Sequence, residues 1–329
     1  MLKVAIIGCG TISPIHINAI NLSDKAELYA VVDINNERAC SCAEKNGCKA
    51  YTDYHEMLND SAIDIVHICT PHYLHGRMAV DSMEAGKHVL IEKPLSINRI
   101  EAEAVISTEE RTGMKAGVCF QNRYNYTSKK IKEFINSGRG GKILGAKAFI
   151  TWDRRADYYA QSNWRGKWET EGGGVLINQA IHTIDLLTWF LGNVESVKSQ
   201  ISTRLLNEVI EVENSAEGLI RFESGVNALL YATTCYCEDS PVQLNIKCEK
   251  ADIKLSGDLT INIHGEATEI YSDNDELSVG KSYWGNSHNE LIEDFYNSII
   301  NKSEFHLNTQ EGYRALETVF LFYKNNGIL

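Results

Sequence analysis

Apolar positions recur along the chain with two different rhythms. Up to about residue 122, short apolar runs alternate with helical patterns. Strands are predicted near 3–8, 27–33, 64–69, 88–92 and 115–120, and helices near 14–22, 36–46, 76–85 and 97–112. Such alternation implies parallel βαβ units, whose right-handed crossovers build a doubly wound sheet. After about residue 140, long alternating strands take over, at 142–153, 194–204, 215–223, 226–235 and 242–256, with Glu223-Ser224-Gly225 as the turn between two of them. Alternation with period two describes a mostly antiparallel sheet with one covered face. Helices near 126–137, 174–191, 287–301 and 309–325 supply the cover, the third opening at the capping-box pattern Ser287-His288-Asn289-Glu290. The fold class expected is α/β, with a doubly wound parallel sheet over 1–122 and an α+β domain carrying a large, mostly antiparallel open sheet over 123–329. The final helix is free to pack back on the first domain. The open sheet face is expected to be too apolar to stay wet, which predicts a homo-oligomer, dimer or tetramer, formed through it.

Composition narrows the partners. A length of 329 residues exceeds what one core usually serves, which agrees with two domains. Asp plus Glu outnumber Lys plus Arg by 44 to 32, and the net charge of -12 repels a nucleic-acid backbone. Nine cysteines are an odd number, several lie inside apolar runs, and neither Cys40/Cys42 nor Cys235/Cys237 has zinc-ligand spacing, so no metal is expected. The first residues read as a strand rather than a signal peptide, and no window reaches about 18 unbroken apolar residues. A cytoplasmic protein without membrane contact is the expectation.

The first strand runs into Gly8-Cys9-Gly10-Thr11-Ile12-Ser13, and Pro14 then opens an apolar helix. Gly8 suits a tight turn, and Gly10 lets backbone approach a pyrophosphate seated at the helix N-terminus. Ser13 replaces the third glycine of the usual fingerprint and is expected to act as N-cap. Asp33 ends the next strand 20 residues later, where a carboxylate accepts hydrogen bonds from an adenosine ribose. That acid favours NAD over NADP, although Arg38 nearby keeps NADP open.

Farther on come Cys69-Thr70-Pro71-His72-Tyr73-Leu74-His75, the segment Ala85 to Pro94 with Glu92-Lys93-Pro94 at its end, and Gly172-Gly173-Gly174 leading to Asn178, His182 and Asp185. With these segments the chain resembles the glucose-fructose oxidoreductase / inositol dehydrogenase / rhizopine catabolism (Gfo/Idh/MocA) family. The resemblance implies a Rossmann domain, an open-sheet second domain, and hydride transfer between a nicotinamide and a hydroxyl or keto group of a sugar, inositol or sugar derivative. Carried over, Lys93 is the catalytic lysine and His182 the catalytic histidine. Thr70, Pro71, His75, Glu92 and Lys93 line the nicotinamide end, and Gly8, Gly10, Thr11, Ile12 and Asp33 hold the rest of the dinucleotide. Many alcohol-oxidising members have an aspartate where this chain has Asn178, and an amide orients a hydroxyl without taking its proton. Two other readings stay open: an NAD(P)-binding regulator without turnover, and an NAD-assisted glycosidase.

Asn178, His182 and Asp185 fall at i, i+4 and i+7 on an otherwise apolar helix and so form one polar stripe. Asp185 is a candidate to fix the His182 tautomer. Arg154, Arg155, Tyr158, Trp164, Arg165 and Lys167 cluster just before the glycine run, and Arg155, Trp164 and Arg165 are candidate substrate contacts, since aromatics stack on sugar faces and arginines grip anionic groups. Gln121 as a cofactor contact and Arg123 as a substrate contact sit where the two domains are expected to join.

Overall fold

The computed structural model describes residues 1–273 and 287–329. The chain forms two compact units, one made of residues 1–121 with 287–313, the other of 122–286 with 314–329. The chain therefore returns to the first unit at 287–313 and ends in the second. The helix expected at 287–301 in the second domain, observed as His288–Ile300, packs inside the first unit.

In the first unit, strands β1 (Leu2–Ile7), β2 (Ala26–Val32), β3 (Lys49–Tyr51), β4 (Ile65–Ile68), β5 (His88–Ile91) and β6 (Ala116–Val118) form one sheet in the order β3-β2-β1-β4-β5-β6. Every pair is parallel. Helices on both faces leave the strands no wet side. The β1 residues Val4 to Ile7 and the whole of β4 are accordingly buried, as a doubly wound sheet requires. Strand order reverses between β1 and β4, and ligands of such sheets bind beyond the carboxyl ends of the strands there. The helix Asn36–Asn46 keeps its predicted bounds because both ends are chemically marked. Asn35 accepts from the Arg38 amide at its start, and Gly47 adopts a left-handed conformation at its end. The short β3 and the helix Tyr54–Leu58 were not predicted, being too brief to show a period.

The second unit holds β7 (Ile143–Thr151), β8 (Val194–Ser202), β9 (Ser215–Phe222), β10 (Asn227–Thr233), β11 (Gln243–Cys248), β12 (Ala251–Ser256), β13 (Asp258–Ile263) and β14 (Glu269–Tyr271), in the order β14-β13-β12-β11-β7-β10-β9-β8. β7 and β10 run parallel and the other pairs antiparallel. The single strand expected at 242–256 is a hairpin, β11 and β12, turning at Glu249-Lys250. β13 and β14 went unpredicted. In β9 the even-numbered residues Ala216, Gly218, Ile220 and Phe222 face the covered side, and Glu217, Leu219 and Arg221 face out. Each fully buried Ile or Phe of that row is worth about 1.5–3 kcal/mol.

The outward face is less apolar than expected. Leu219 and Leu229 lie opposite each other, and Tyr231 opposes Phe149, but Lys147, Glu217, Arg221 and Lys247 surround them. Among the described residues no helix is long and apolar enough to cross a membrane.

Candidate functional site

The glycine turn leaves β1 where the sheet order reverses. Gly8 has φ +99°, and a Cβ there would lie 2.6 Å from the Cys69 carbonyl oxygen, so the turn admits no side chain. A Cβ on Gly10 would meet nothing within 4 Å, which leaves open space where a pyrophosphate approaches. The helix begins at Ser13, one residue earlier than expected, and its hydroxyl donates to the Gly10 carbonyl at 2.9 Å instead of capping. Asp33 organises the loop: Oδ2 accepts from the Cys9 amide at 3.0 Å and Oδ1 from the Asn35 amide at 2.9 Å. Thr11 and Arg38 are exposed, and Ile12, Thr70, Pro71 and Lys93 are half-buried.

His75 and Glu92 turn out to be internal. His75 is 1% exposed, and its ring nitrogens lie 2.8 Å from the Thr70 carbonyl and 2.7 Å from the Pro94 carbonyl, so it ties the loop after β4 to the loop carrying Lys93. Burial lowers its pKa, against the pull of the two carbonyls. Glu92 ends a buried chain. Its Oε1 is 3.0 Å from His16 Nε2, His16 Nδ1 is 3.0 Å from His67 Nδ1, and His67 Nε2 is 3.2 Å from the Tyr296 hydroxyl. Neutral imidazoles satisfy every link in one direction. Tyr296 donates to His67, His67 to His16, and His16 to the carboxylate. Burial and the nearby His16 push the His67 pKa well down, in keeping with that neutral ring. Burial alone would raise the Glu92 carboxyl; the hydrogen bond from His16 and the His288 ring 3.6 Å away more than offset it and hold the group well below the usual range. Among the described residues, His16, Glu92 and Cys119 bring ligand-type atoms within 4.8 Å of one another. The hydrogen bonds just given account for that closeness, since both nitrogens of His16 already have partners.

In the second unit the helix behind the glycine run opens with a π turn, Leu176–Ala180, before continuing as Ile181–Leu191. The wider turn alters the i, i+4 register predicted for Asn178 and His182. Its first residues are clamped by Glu213. That carboxylate accepts from the amides of Gly174 (2.9 Å) and Leu176 (3.0 Å) and from the Tyr323 hydroxyl (3.1 Å). Burial raises its pKa to about 7 despite those three donors. Asn178 Nδ2 donates to Oε1 of the buried Glu171 at 2.5 Å. Asp185 is held by Arg123 with two hydrogen bonds. Arg123, expected to touch substrate, is 3% exposed and is the counter-ion of Asp185.

Of the loop arginines, Arg154 is buried against Asp239 at 2.7 Å, and Arg155 is exposed and bonded to Asp153 at 2.8 Å. Arg165 lies over the ring of Tyr158, 4.5 Å from its centroid, and beside half-buried Trp164 at 5.2 Å. Sequence reasoning missed Glu171, Glu213, Tyr323, His16, His67 and His288. Glu171 carried a faint signal, an acid immediately before three glycines; the others read as ordinary polar positions.

The glycine turn, the acid after β2 and the strand-order reversal define a dinucleotide-binding oxidoreductase of the Rossmann type. The chain belongs to the Gfo/Idh/MocA family: the model described as an oxidoreductase family with an NAD-binding Rossmann fold matches residues 2–120, and that of the Gfo/Idh/MocA C-terminal domain matches residues 128–254. It is 29% identical to the myo-inositol 2-dehydrogenase of Thermotoga maritima, over 68% of this chain and 66% of that protein, just under two thirds of its length. It is 26% identical to the D-glucoside 3-dehydrogenase of Escherichia coli, over 98% of this chain and 95% of that one. Among solved structures it is similar to the WlbA dehydrogenase from Bordetella pertussis in complex with NADH and UDP-GlcNAcA, at TM-score 0.86 and 27% identity, covering 98% of this chain and 96% of that one.

The residues present fit NAD. Gly8 and Gly10 leave space at the turn, Asp33 offers a carboxylate just after β2, and Gln121 Oε1 is a buried acceptor with no hydrogen-bond partner among the described residues.

Proposed function

We propose that this chain moves a hydride between NAD and a hydroxyl or keto carbon of a sugar, inositol or sugar derivative. The observation that carries the reading is Lys93 directly after β5, at the carboxyl edge of the same sheet whose switch point carries the glycine turn. Gly8, Gly10, Thr11, Ile12 and Asp33 hold the dinucleotide, with Gln121 offering its buried oxygen and Thr70 and Pro71 flanking the nicotinamide end. When bound, the cofactor supplies the redox chemistry. The family resemblance assigns the handling of the substrate hydroxyl's proton to Lys93 and His182, and its orientation to Asn178. Glu92 and His75 act behind the site, fixing the loops that carry Lys93 and Thr70.

The compounds in the relatives' names and complexes, an inositol, a glucoside and a nucleotide-linked uronic acid, support a polyhydroxylated ring. Arg165 favours an anionic one. It is half-buried on Tyr158, and its Nε lacks a hydrogen-bond partner among the described residues, as a guanidinium awaiting a carboxylate or phosphate would. All nine cysteines are free, which fits a reducing cytoplasm. The Leu219, Leu229, Phe149 and Tyr231 cluster supports self-association through the open sheet face.

Purified protein incubated with NAD and a panel of neutral and anionic sugars should generate reduced cofactor. Lys93→Met and His182→Ala should each lower kcat by about 10²–10⁴-fold while NAD affinity is kept. Silence across the panel in both directions, with NAD bound tightly, would reject turnover in favour of a regulatory role.

A further inference from the structure

What Asn178 does to a substrate depends on which end of its amide is presented. An oxygen accepts from a hydroxyl; an NH2 donates to a carbonyl. Its Nδ2 lies 2.5 Å from Glu171 Oε1, and the other carboxylate oxygen accepts the Gly166 amide at 2.5 Å. An ionised carboxylate accepts only, so the amide nitrogen has to face it and Oδ1 is turned away. The acid itself is rigidly held. Glu171 is 1% exposed at the end of the short helix Trp168–Glu171, whose Trp168 indole donates to the Glu211 carbonyl at 3.0 Å and packs edge-on to Tyr323.

We propose that Glu171 is a positioning residue that locks the Asn178 amide with its oxygen toward the substrate, so that the site offers a fixed hydrogen-bond acceptor that is not a base. The inference rests on the reading of Asn178 as a substrate contact. It also explains how an asparagine serves where alcohol-oxidising relatives have an aspartate: the acceptor geometry is kept, and the proton is left to Lys93 and His182.

Replacing the acid inverts the polarity. In Glu171→Gln the new amide oxygen must still accept from Gly166, so its NH2 faces residue 178 and turns Asn178 the other way round. The sugar KM should then rise about 10-fold or more, as loss of one well-made hydrogen bond does, with a smaller change in kcat. The pair Asn178→Asp and Asn178→Asp/Glu171→Gln reads the same contact without turnover. With Glu171 present, two carboxylates at hydrogen-bond distance share a proton, and the carboxyl of residue 178, followed by carbon-13 NMR, should titrate well above the ordinary range. With the glutamine donating to it, it should titrate within or below that range. Poor folding of the single variant rescued in the double is the same result read through stability.

Equal titration in both backgrounds, or failure of both to fold, together with a Glu171→Gln KM within twofold of the parent, would overturn the proposal. If the unaltered enzyme turns over no sugar, the functional reading fails, and the titration still decides the role of Glu171.

Discussion

Arg123 grips Asp185 through two hydrogen bonds, Nε to Oδ2 at 2.9 Å and Nη2 to Oδ1 at 2.6 Å, with both side chains sealed from solvent. The guanidinium also lies 5.5 Å from the Trp189 ring centroid. Two charges out of water are tolerated only as a pair. Arg123→Ala or Asp185→Asn should therefore cost about 3–5 kcal/mol, because each leaves an uncompensated buried charge. The double replacement Arg123→Ala/Asp185→Asn should cost much less than the sum of the single losses. Urea denaturation of the four proteins measures this coupling, and strict additivity would contradict it.

Glu213 sets a pH dependence of stability. Its carboxyl, ordinarily at 4.5, is raised to about 7 in the folded chain, burial being the main cause. Between those values the folded protein holds a proton that the unfolded chain has released, so stability falls as pH rises from about 4.5 to about 7. The full effect is on the order of 3 kcal/mol. Glu213→Gln should flatten that slope, and denaturation midpoints compared at the two ends of the window would show it. A variant with the slope of the parent would refute the assignment.

Three glycines should respond in different ways. A Cβ on Gly174 would sit 1.8 Å from the Glu213 carbonyl oxygen, and one on Gly173 would sit 1.9 Å from the Tyr323 hydroxyl at φ +146°. Alanine at either should cost several kcal/mol, since backbone and a buried clamp have to move. Gly10→Ala meets nothing, so it should leave the melting temperature nearly unchanged and weaken NAD binding, because the methyl fills the space for the pyrophosphate. Thermal melts paired with NAD titrations separate the two kinds of loss.

Asp33 bonds the Cys9 and Asn35 amides and, in the proposed reading, also meets the adenosine ribose. Asp33→Ala should weaken NAD about 10–100-fold, the scale of one or two hydrogen bonds to a charged group. Calorimetric titration with NAD and NADP checks it, and a gain for NADP relative to NAD is the expected sign.

The elements legible in the chain were those whose own residues carry both the period and the stop signals. The helix Tyr126–Ser137 was expected over 126–137 and is found there, with Gly138 left-handed at its end. The hairpin of β11 and β12 reads as one strand because no glycine or proline marks its turn; the only sign is at Glu249-Lys250, where the apolar positions shift from 244, 246 and 248 to 251, 253 and 255. The glycine turn was legible for the same local reason. The roles of Arg123, Asp185, His75 and Glu92 were not, since each depends on partners far away in the chain: 62 residues separate Arg123 from Asp185, and 76 separate His16 from Glu92.

Local chemistry thus determined most of the strands and helices and the glycine turn, because backbone propensity, hydrophobic period and glycine tolerance act over a few residues, whereas the class of reaction came from the likeness of its motifs to a known family. Tertiary structure alone decided which polar side chains are tools and which are braces. An acid or arginine looks the same in either role until burial removes water and forces it to find a partner, and that partner is set by the fold.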